Sequence, residues 1–288
     1  MLFTVTETAE GRLLVGAHSG AVERIAGAPE VPCAFRTPTD LNIPATDVRV
    51  LYQDRHGSIC VGTESGVLQI ATGGFMLHSQ ADGLVGSSVQ SIFESRLELF
   101  VVSDNIGLSR FDGSRFQPVI PNVTGAKQFP QRGWGTRQTI LRDRAGDWWV
   151  PTEIGLYRFS NAARFPDLRT AWPRIYRQRD GLPTDAVFRL FEDSHGTLWI
   201  STIYGPDILA SMDHRRIAIV REKVVGDSYT LPHGPPTALF EDTSGALWVG
   251  FWHGSLARLR DDRWSYFRPA DGAPGSSGEA KRRLERLP

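Results

Sequence analysis

Residues 193–205 read DSHGTLWISTIYG, and this stretch decides the fold because the chain repeats it. The copies that align without gaps are residues 54–66 (DRHGSICVGTESG), 143–155 (DRAGDWWVPTEIG) and 242–254 (DTSGALWVGFWHG). Two weaker copies, at residues 10–20 and 98–107, keep the hydrophobic register and lose part of the leading Asp-x-x-Gly. Self-similarity at a fixed period of roughly 20–50 residues is the signature of a repeat architecture.

One hydrophobic position lies in the same column of all six copies and is tryptophan in the last three. Its occupants are Leu14, Cys60, Phe100, Trp149, Trp199 and Trp248, spaced by 46, 40, 49, 50 and 49 residues, so that six units fill the 288-residue chain. We expect these side chains to lie at the seams between units, since a buried tryptophan covers roughly 150–250 Å².

Each unit is predicted to form four strands. In the fifth unit, residues 186–193 alternate apolar and polar side chains as a half-buried strand does. Asp193 and Gly196 then take the first and last positions of a tight turn. A second strand follows directly, a third lies near residues 207–212 and a fourth near residues 216–221. Antiparallel units of this size and number are typical of propeller blades.

The predicted fold class is therefore all-β, a β-propeller of about six four-stranded blades. The expected blades are residues 1–38, 39–80, 81–120, 137–178, 179–221 and 230–268, with a charged tail at 273–288. Each blade uses contiguous sequence, so no strand is left over to join the first blade to the last. The six blades close by packing alone or form an incomplete seven-bladed ring, and we favour the incomplete ring.

Composition excludes several classes of protein. The chain has 32 basic and 32 acidic side chains, without the basic excess that a nucleic-acid-binding protein carries. It has no run of 18 apolar residues, so we expect no membrane-spanning segment, and its first residues lack a signal-peptide pattern. Cys33 and Cys60 cannot build a thiolate metal site. We expect both to be reduced and buried, a single disulfide being the alternative.

The repeat unit V-x-x-L-x-x-D-x-x-G-x-L-W-V-G-T-x-x-G-L, followed later by D-G-L-P, resembles the two-component regulator propeller repeat. The match is fullest at residues 187–207 and 237–256. The resemblance implies a sensor region of a bacterial hybrid histidine kinase or related phosphorelay protein, located in the periplasm. It also implies an output signalling domain as partner. No kinase or receiver sequence is present, so the chain reads as an isolated or truncated sensor propeller.

The third unit departs from this pattern. It has Ser95-Arg96-Leu97 where the D-x-x-G turn belongs, and Phe100 replaces tryptophan. The rings of the resembled family usually contain seven blades, and six are visible here.

Topology predicts where a ligand would bind. The D-x-x-G turns should lie on one face, and the T-x-x-G turns and D-G-L-P loops on the opposite face. Loops vary while sheets hold their position, so we expect a site among the T-x-x-G turns. The candidates are His18, Glu64, Asp104, Asn105, Glu153, Tyr204, Trp252 and His253, together with Arg132, Trp134 and Arg137 in or beside the long loop 121–136. This mixture suits a small polar molecule or an oligosaccharide; solvated turns without a ligand are the alternative.

The sequence contains no common catalytic motif: G-x-S-x-G, the P-loop and H-E-x-x-H are all absent. We therefore expect no enzyme activity, no cofactor and no metal. Two other functions stay open. A lyase or glycosidase would use Glu64, Glu153 and His253 for acid–base chemistry. A protein-interaction scaffold would dock a partner protein or a second copy of the chain as a homodimer.

The turn aspartates are similar to the Asp-box of sialidases. They are Asp54, Asp143, Asp193 and Asp242. A sialidase site also needs an arginine cluster, a tyrosine nucleophile and an acid, and no such group is identifiable. We interpret the aspartates as hairpin-forming residues whose side chains accept backbone N–H bonds.

Overall fold

The computed structural model describes residues 2–10, 12–17, 20–24, 35–36, 41, 43, 47–71, 74–103, 107–126, 139–160, 162, 164–203, 209–213, 216–219, 236–242, 244–251 and 256–267. The chain forms two compact units. The first comprises Met1–Thr124, Gln128–Ile140 and Phe159–Trp172, and the second comprises Gly125–Lys127, Leu141–Arg158 and Pro173–Pro288.

The first unit holds three four-stranded antiparallel sheets, each made of consecutive strands. The first sheet is β1 (Leu2–Glu7), β2 (Leu13–Ala17), β3 (Gly20–Arg24) and β4 (Phe35–Arg36). The second is β5 (Val50–Gln53), β6 (Ile59–Thr63), β7 (Gly66–Ala71) and β8 (Gly74–His78). The third is β9 (Val89–Ser95), β10 (Glu98–Ser103), β11 (Gly107–Phe111) and β12 (Phe116–Val119).

The second unit repeats this arrangement. The fourth sheet is β13 (Leu141–Arg142), β14 (Trp148–Thr152), β15 (Gly155–Phe159) and β16 (Arg174–Tyr176). The fifth is β17 (Val187–Glu192), β18 (Leu198–Thr202), β19 (Leu209–Asp213) and β20 (Arg216–Ile219). The sixth is β21 (Pro236–Glu241), β22 (Leu247–Phe251), β23 (Leu256–Arg260) and β24 (Arg263–Phe267).

Within each unit the first strands of successive sheets pack side by side, except in the fourth sheet, whose first strand β13 has only two residues and whose second strand β14 makes the contact. Strand β5 contacts both β1 and β9, and β17 contacts both β14 and β21. The first strand is therefore the inner strand of each sheet, and the fold is the predicted all-β propeller with six four-stranded sheets. The blade limits and the closure of the ring stay predictions.

The inner position changes how strand β17 is buried. We expected this strand to be half-buried, with its polar side chains towards solvent, and that expectation was wrong. Its first four residues are all buried, and Arg189 is 1% exposed. The guanidinium lies 5.2 Å from the ring centroid of Phe188, and burial lowers its pKa to about 9. Neighbouring inner strands cover the face that an isolated sheet would leave open.

The hydrophobic column lies at the seams between sheets, as predicted. Trp149 shares one core cluster with Val187 and Leu190 of the next sheet, and Trp199 shares another with Leu239 of the sheet after that. In the first unit Leu14 and Cys60 occupy the same position against the second and third sheets. Burial raises the pKa of the Cys60 thiol to about 12; Cys33 lies outside the described residues.

The other two members of the column have different neighbours. The ring of Phe100 is fully buried and lies 5.4 Å from that of Phe165. Phe165 begins a short 3₁₀ helix (Phe165–Arg169). Trp248, in the sixth sheet, is half-buried with the Arg258 guanidinium 5.5 Å from its ring.

The Asp of each D-G-L sequence is the last residue of a one-turn 3₁₀ helix. The two helices span Gln80–Asp82 and Gln178–Asp180, after β8 and β16. Gly83 and Gly181 follow with φ of 95° and 107°, a left-handed conformation that glycine adopts without steric cost. In the described part of the chain, no helix is long and apolar enough to cross a membrane.

Candidate functional site

Every sheet has two ends with different chemistry. In the second sheet, Asp54 follows β5 and begins the turn into β6, and Thr63 ends β6 and begins the turn into β7. Since β6 has five residues, these turns lie about 17 Å apart at opposite ends of the strands. We call them the D-x-x-G end and the T-x-x-G end, and use the same names for the equivalent ends of the other sheets.

At the D-x-x-G end, the aspartate side chain forms hydrogen bonds within its own hairpin. Oδ1 of Asp193 accepts hydrogen bonds from the backbone N–H groups of His195 and Thr197, both at 2.9 Å. Its Oδ2 accepts from Trp199 Nε1 at 2.8 Å. The interpretation as a hairpin-forming residue is confirmed, because each carboxylate oxygen is committed to holding the turn.

The same arrangement recurs in the fourth and sixth sheets. Trp149 Nε1 donates to Asp143 at 2.7 Å, and Trp248 Nε1 donates to Asp242 at 2.7 Å. Hydrogen bonds from Ser244 and Trp248 hold the pKa of Asp242 well below its usual range. In the second sheet, where the column residue is Cys60, the donor to Asp54 Oδ2 is Gln69 Nε2 at 3.4 Å.

A second set of hydrogen bonds joins neighbouring sheets at this end. The residue before the turn aspartate accepts a hydrogen bond from the backbone of the preceding sheet's hairpin. Ala9 N–H donates to Gln53 Oε1 at 2.6 Å, and Ser194 N–H donates to Glu241 Oε2 at 2.6 Å. Glu192 accepts from the Arg144 N–H in the same way at 3.2 Å. Burial is the main cause that raises the pKa of Glu192.

At the T-x-x-G end, the threonine closes the turn. Thr63 Oγ1 accepts from Ser65 N–H at 3.1 Å and donates to the Gly66 carbonyl at 3.1 Å. Gly66 has φ of +136°, and a Cβ there would lie 2.1 Å from the carbonyl oxygen of His78. The backbone of this turn is therefore fixed, and only its two central side chains are free to differ between sheets.

Glu64 occupies one of these central positions. Its carboxylate forms an ion pair with Arg49, and Arg49 Nη1 also donates to Ser88 Oγ at 2.6 Å. The Glu64 side chain is 56% exposed and that of Arg49 is 19% exposed, so the carboxylate is the part of the pair that faces solvent. Arg49 directly precedes the inner strand β5 and was not among the residues predicted from the sequence. An exposed carboxylate beside a guanidinium and a hydroxyl can bind both donors and acceptors of a polar ligand.

Glu153 occupies the equivalent turn of the fourth sheet, in the second unit. It is half-buried, and its charge adds to the burial that raises the pKa of Tyr157. The other predicted ligand residues lie outside the described residues: His18, Asp104, Asn105, Arg132, Trp134, Arg137, Tyr204, Trp252 and His253. Among the residues that are described, no group of three or more His, Cys, Asp or Glu could hold a metal ion.

A groove at the D-x-x-G end of the second and third sheets was not predicted from the sequence. It is open to solvent, has a volume of about 850 Å³, and is lined by the Asp54 turn, the Leu97 turn and the turn after β11. The available signal was the departure of the third unit from the repeat. Sequences that break a local rule of their own fold tend to do so at functional sites.

The third hairpin shows how this departure changes the backbone. Strand β9 pairs Phe93 with Phe100, whereas β17 pairs Phe191 with Trp199, so the hairpin of the third sheet is one residue shorter. Arg96 and Leu97 turn the chain with φ of 51° and 65°, as in the tight type I′ hairpin. Across the seam, Arg55 Nη1 donates to the Leu97 carbonyl at 2.8 Å.

The six four-stranded antiparallel sheets, each made of consecutive strands, define the chain as a β-propeller. Residues 181–204 match the model of the family described as "Two component regulator propeller". This segment contains β17, β18 and the Asp193 hairpin, so the repeat predicted from the sequence is a two-component regulator propeller repeat. None of the curated proteins matches the chain.

Solved structures share the fold at low sequence identity. The extracellular domain of BT3049 from B. thetaiotaomicron, described as a hybrid two component system, is 19% identical with a TM-score of 0.61, over 86% of this chain and 32% of that one. PorZ, a surface component of the type-IX secretion system of Porphyromonas gingivalis, is 14% identical with a TM-score of 0.63, over 94% and 42%. YCF48 bound to D1 peptide is 12% identical with a TM-score of 0.57, over 95% and 82%.

The chain spans less than half the length of the first of these structures. It covers 32% of BT3049 and 43% of BT4673, another extracellular domain from B. thetaiotaomicron.

Proposed function

We propose that this chain is the sensor module of a two-component-type signalling protein and that it has no enzyme activity. In this proposal it binds a polar ligand at the T-x-x-G end and passes the signal to an output domain. The observation that carries the proposal is the two component regulator propeller repeat at residues 181–204 within a six-sheet propeller.

The chemistry of the T-x-x-G end supports a polar ligand. Glu64 is exposed, pairs with the less exposed Arg49, and stands on a turn whose backbone is held by Thr63 and Gly66. A rigid backbone with varied side chains is what recognition on a repeat scaffold requires. Oligosaccharides, with many hydroxyl groups, fit a surface that presents donors and acceptors side by side.

An extracytoplasmic location is part of the same proposal. The propellers of BT3049 and BT4673 are described as extracellular domains. A ligand that cannot cross a membrane would meet its sensor there.

Thermal unfolding of the chain in the presence of an oligosaccharide panel tests the proposal. A ligand at 100 times its dissociation constant should stabilise the protein by about 2.7 kcal/mol. Glu64→Gln removes one charge of the Arg49 pair and should weaken that stabilisation. Glu98→Gln is the matched control, because it also removes the carboxylate of a partly exposed Arg–Glu pair, that with Arg110, but at the D-x-x-G end.

Two results would contradict the proposal. Glu64→Gln and Glu98→Gln could affect the ligand-linked stabilisation equally, which would move the site away from the T-x-x-G end. Turnover of a chromogenic glycoside that is lost in Glu153→Gln would instead make the chain an enzyme.

A further inference from the structure

The groove at the D-x-x-G end of the second and third sheets has the dimensions of a binding site. Its volume of about 850 Å³ lies within the range of roughly 300–1,000 Å³ that is usual for ligand pockets. It is open to solvent, and three hairpin turns and the outer strand β8 contribute to its lining.

Apolar side chains are exposed in the groove. Leu97, at the tip of its hairpin, is 73% exposed, and Met76 on the outer strand β8 is 59% exposed. Phe111, also in the lining, is half-buried. Large apolar side chains gathered in one recess mark an interaction site more often than isolated ones do.

Leu97 is held in an unusual conformation. Its φ of 65° belongs to the left-handed region that bulky residues rarely adopt. The hydrogen bond from Arg55 to the Leu97 carbonyl ties this turn to the second sheet. The leucine side chain is thereby presented to solvent at a fixed place in the lining.

The charged groups of the lining are unbalanced. Four carboxylates (Asp54, Glu94, Glu98 and Asp112) face two guanidinium groups (Arg55 and Arg110), an excess of two negative charges. Most of these groups have partners within the protein: Asp54, Glu98 and Asp112 accept hydrogen bonds there, and both arginines donate them. Arg110 donates to Glu98 at 2.8 Å and to Gln117 at 2.6 Å, and Arg55 donates to the Leu97 carbonyl. The groove therefore favours a cationic partner.

We propose that this groove binds a basic peptide segment of a partner protein, one that places a Lys or Arg next to a large apolar side chain. In an extended peptide, successive side chains point to opposite sides of the backbone. A basic side chain can then meet the carboxylates while an apolar one packs on Leu97 and Met76. This site is separate from the ligand end proposed above, because it lies at the opposite end of the same strands.

Titration calorimetry with three synthetic peptides tests the proposal on the full chain. The probe is a capped hexapeptide of alternating arginine and leucine. One control peptide replaces arginine with glutamate, and the other replaces leucine with serine. We expect the arginine–leucine peptide to bind at a stoichiometry of one, and both controls to bind at least about tenfold more weakly.

Protein variants then locate the binding. The double variant Glu94→Gln/Glu98→Gln brings the formal charge of the lining to zero and should weaken binding about tenfold or more. Leu97→Asn removes the apolar side chain with a residue that tolerates a positive φ, and should weaken binding by a similar factor. Glu64→Gln, at the T-x-x-G end, should leave peptide binding unchanged. If the double variant fails to fold, Leu97→Asn and Leu97→Gly decide the question.

Three results would overturn the proposal: no binding of the arginine–leucine peptide, equal binding of the glutamate peptide, or binding that neither the charge variant nor Leu97→Asn weakens. These outcomes are independent of the oligosaccharide experiment. Glu64→Gln is the test variant there and the control here, so the failure of one proposal is distinguishable from the failure of the other.

Discussion

The hairpin at Asp193 and the hairpin at Leu97 solve the same structural problem with opposite results. In the fifth sheet, Asp193 satisfies two backbone N–H groups and the Trp199 indole. In the third sheet, Arg96 and Leu97 turn the chain through positive φ angles. In the first hairpin the polar groups form hydrogen bonds with one another. In the second, a large apolar side chain is exposed to solvent.

The difference teaches where to look for function in a repeat protein. A unit that keeps the D-x-x-G turn and its tryptophan has its carboxylate, indole and backbone committed to folding. The third unit lacks both the turn aspartate and the tryptophan, and the groove lies beside its hairpin. The following experiments test this contrast, starting with the largest expected effect.

Trp199→Ala should cost about 3–5 kcal/mol of unfolding free energy, the usual loss for an aromatic side chain truncated in a core. The indole is 8% exposed and packs in a cluster with Leu239 and Val249 of the next sheet. Urea denaturation measures the loss. Trp199→Phe retains a ring at the seam and should cost less than half as much. A loss below about 1 kcal/mol in Trp199→Ala would show that the seam does not depend on the indole.

Asp193→Ala should cost about 2–3 kcal/mol, because two backbone N–H groups and the Trp199 N–H lose their acceptor. Ser95, which stands in the place of the aspartate in the third sheet, provides the comparison. It is half-buried, and Ser95→Ala should change stability by less than about 0.5 kcal/mol. The same urea experiment measures both variants. Equal losses would mean that the two hairpins are held by the same means.

Glycine substitutions should act with opposite sign at the two turns. Gly196 has φ of +85°, and a Cβ added there would have no other atom within 4 Å, so Gly196→Ala should destabilise through backbone strain alone, by about 1 kcal/mol. Leu97→Gly relieves such strain and should stabilise by up to about 1 kcal/mol. Melting temperatures of both variants give the comparison. Destabilisation by Leu97→Gly would show that the exposed leucine packs on the protein in solution.

Acidification should weaken the seam between the second and third sheets. His78 is 3% exposed, its ring packs edge-on with those of Phe111 and Phe116, and burial lowers its pKa. The unfolded chain then binds a proton more readily than the folded one. Stability is full above the ordinary histidine pKa of about 6.5, and decreases as the pH falls from there towards the lower folded value.

Urea denaturation between neutral pH and mildly acidic pH measures this dependence. His78→Phe should remove part of the slope, whereas His56→Gln, at an exposed turn position, should retain it. An unchanged slope in His78→Phe would show that His78 does not contribute to the pH dependence.

Most of the fold could be predicted from the sequence because its signals are local. The turn aspartates, the tryptophan column and the alternation of strands all act within one unit and repeat. The burial of Arg189 could not be predicted in this way, since it depends on β14 and β21, which belong to the neighbouring sheets. Alternation along β17 shows which residues share a face, and it does not show whether that face is covered.

The candidate sites were less predictable. Glu64 was found because it occupies a variable position in a regular turn, but its partner Arg49 lies just before strand β5 and carries no repeat signal. The groove depends on residues of five strands and three turns. The sequence signal for the groove was the missing D-x-x-G motif at Ser95–Leu97. That signal indicates neither the charge nor the volume of the groove.

In each sheet the strands lie side by side in the same order as in the sequence, and this has a consequence for biosynthesis. Hydrogen-bonded neighbours are close in sequence, so closing each hairpin costs little loop entropy and the contact order is low within a sheet. We expect the sheets to form one after another as the polypeptide leaves the ribosome, with each completed sheet offering a surface on which its successor can condense.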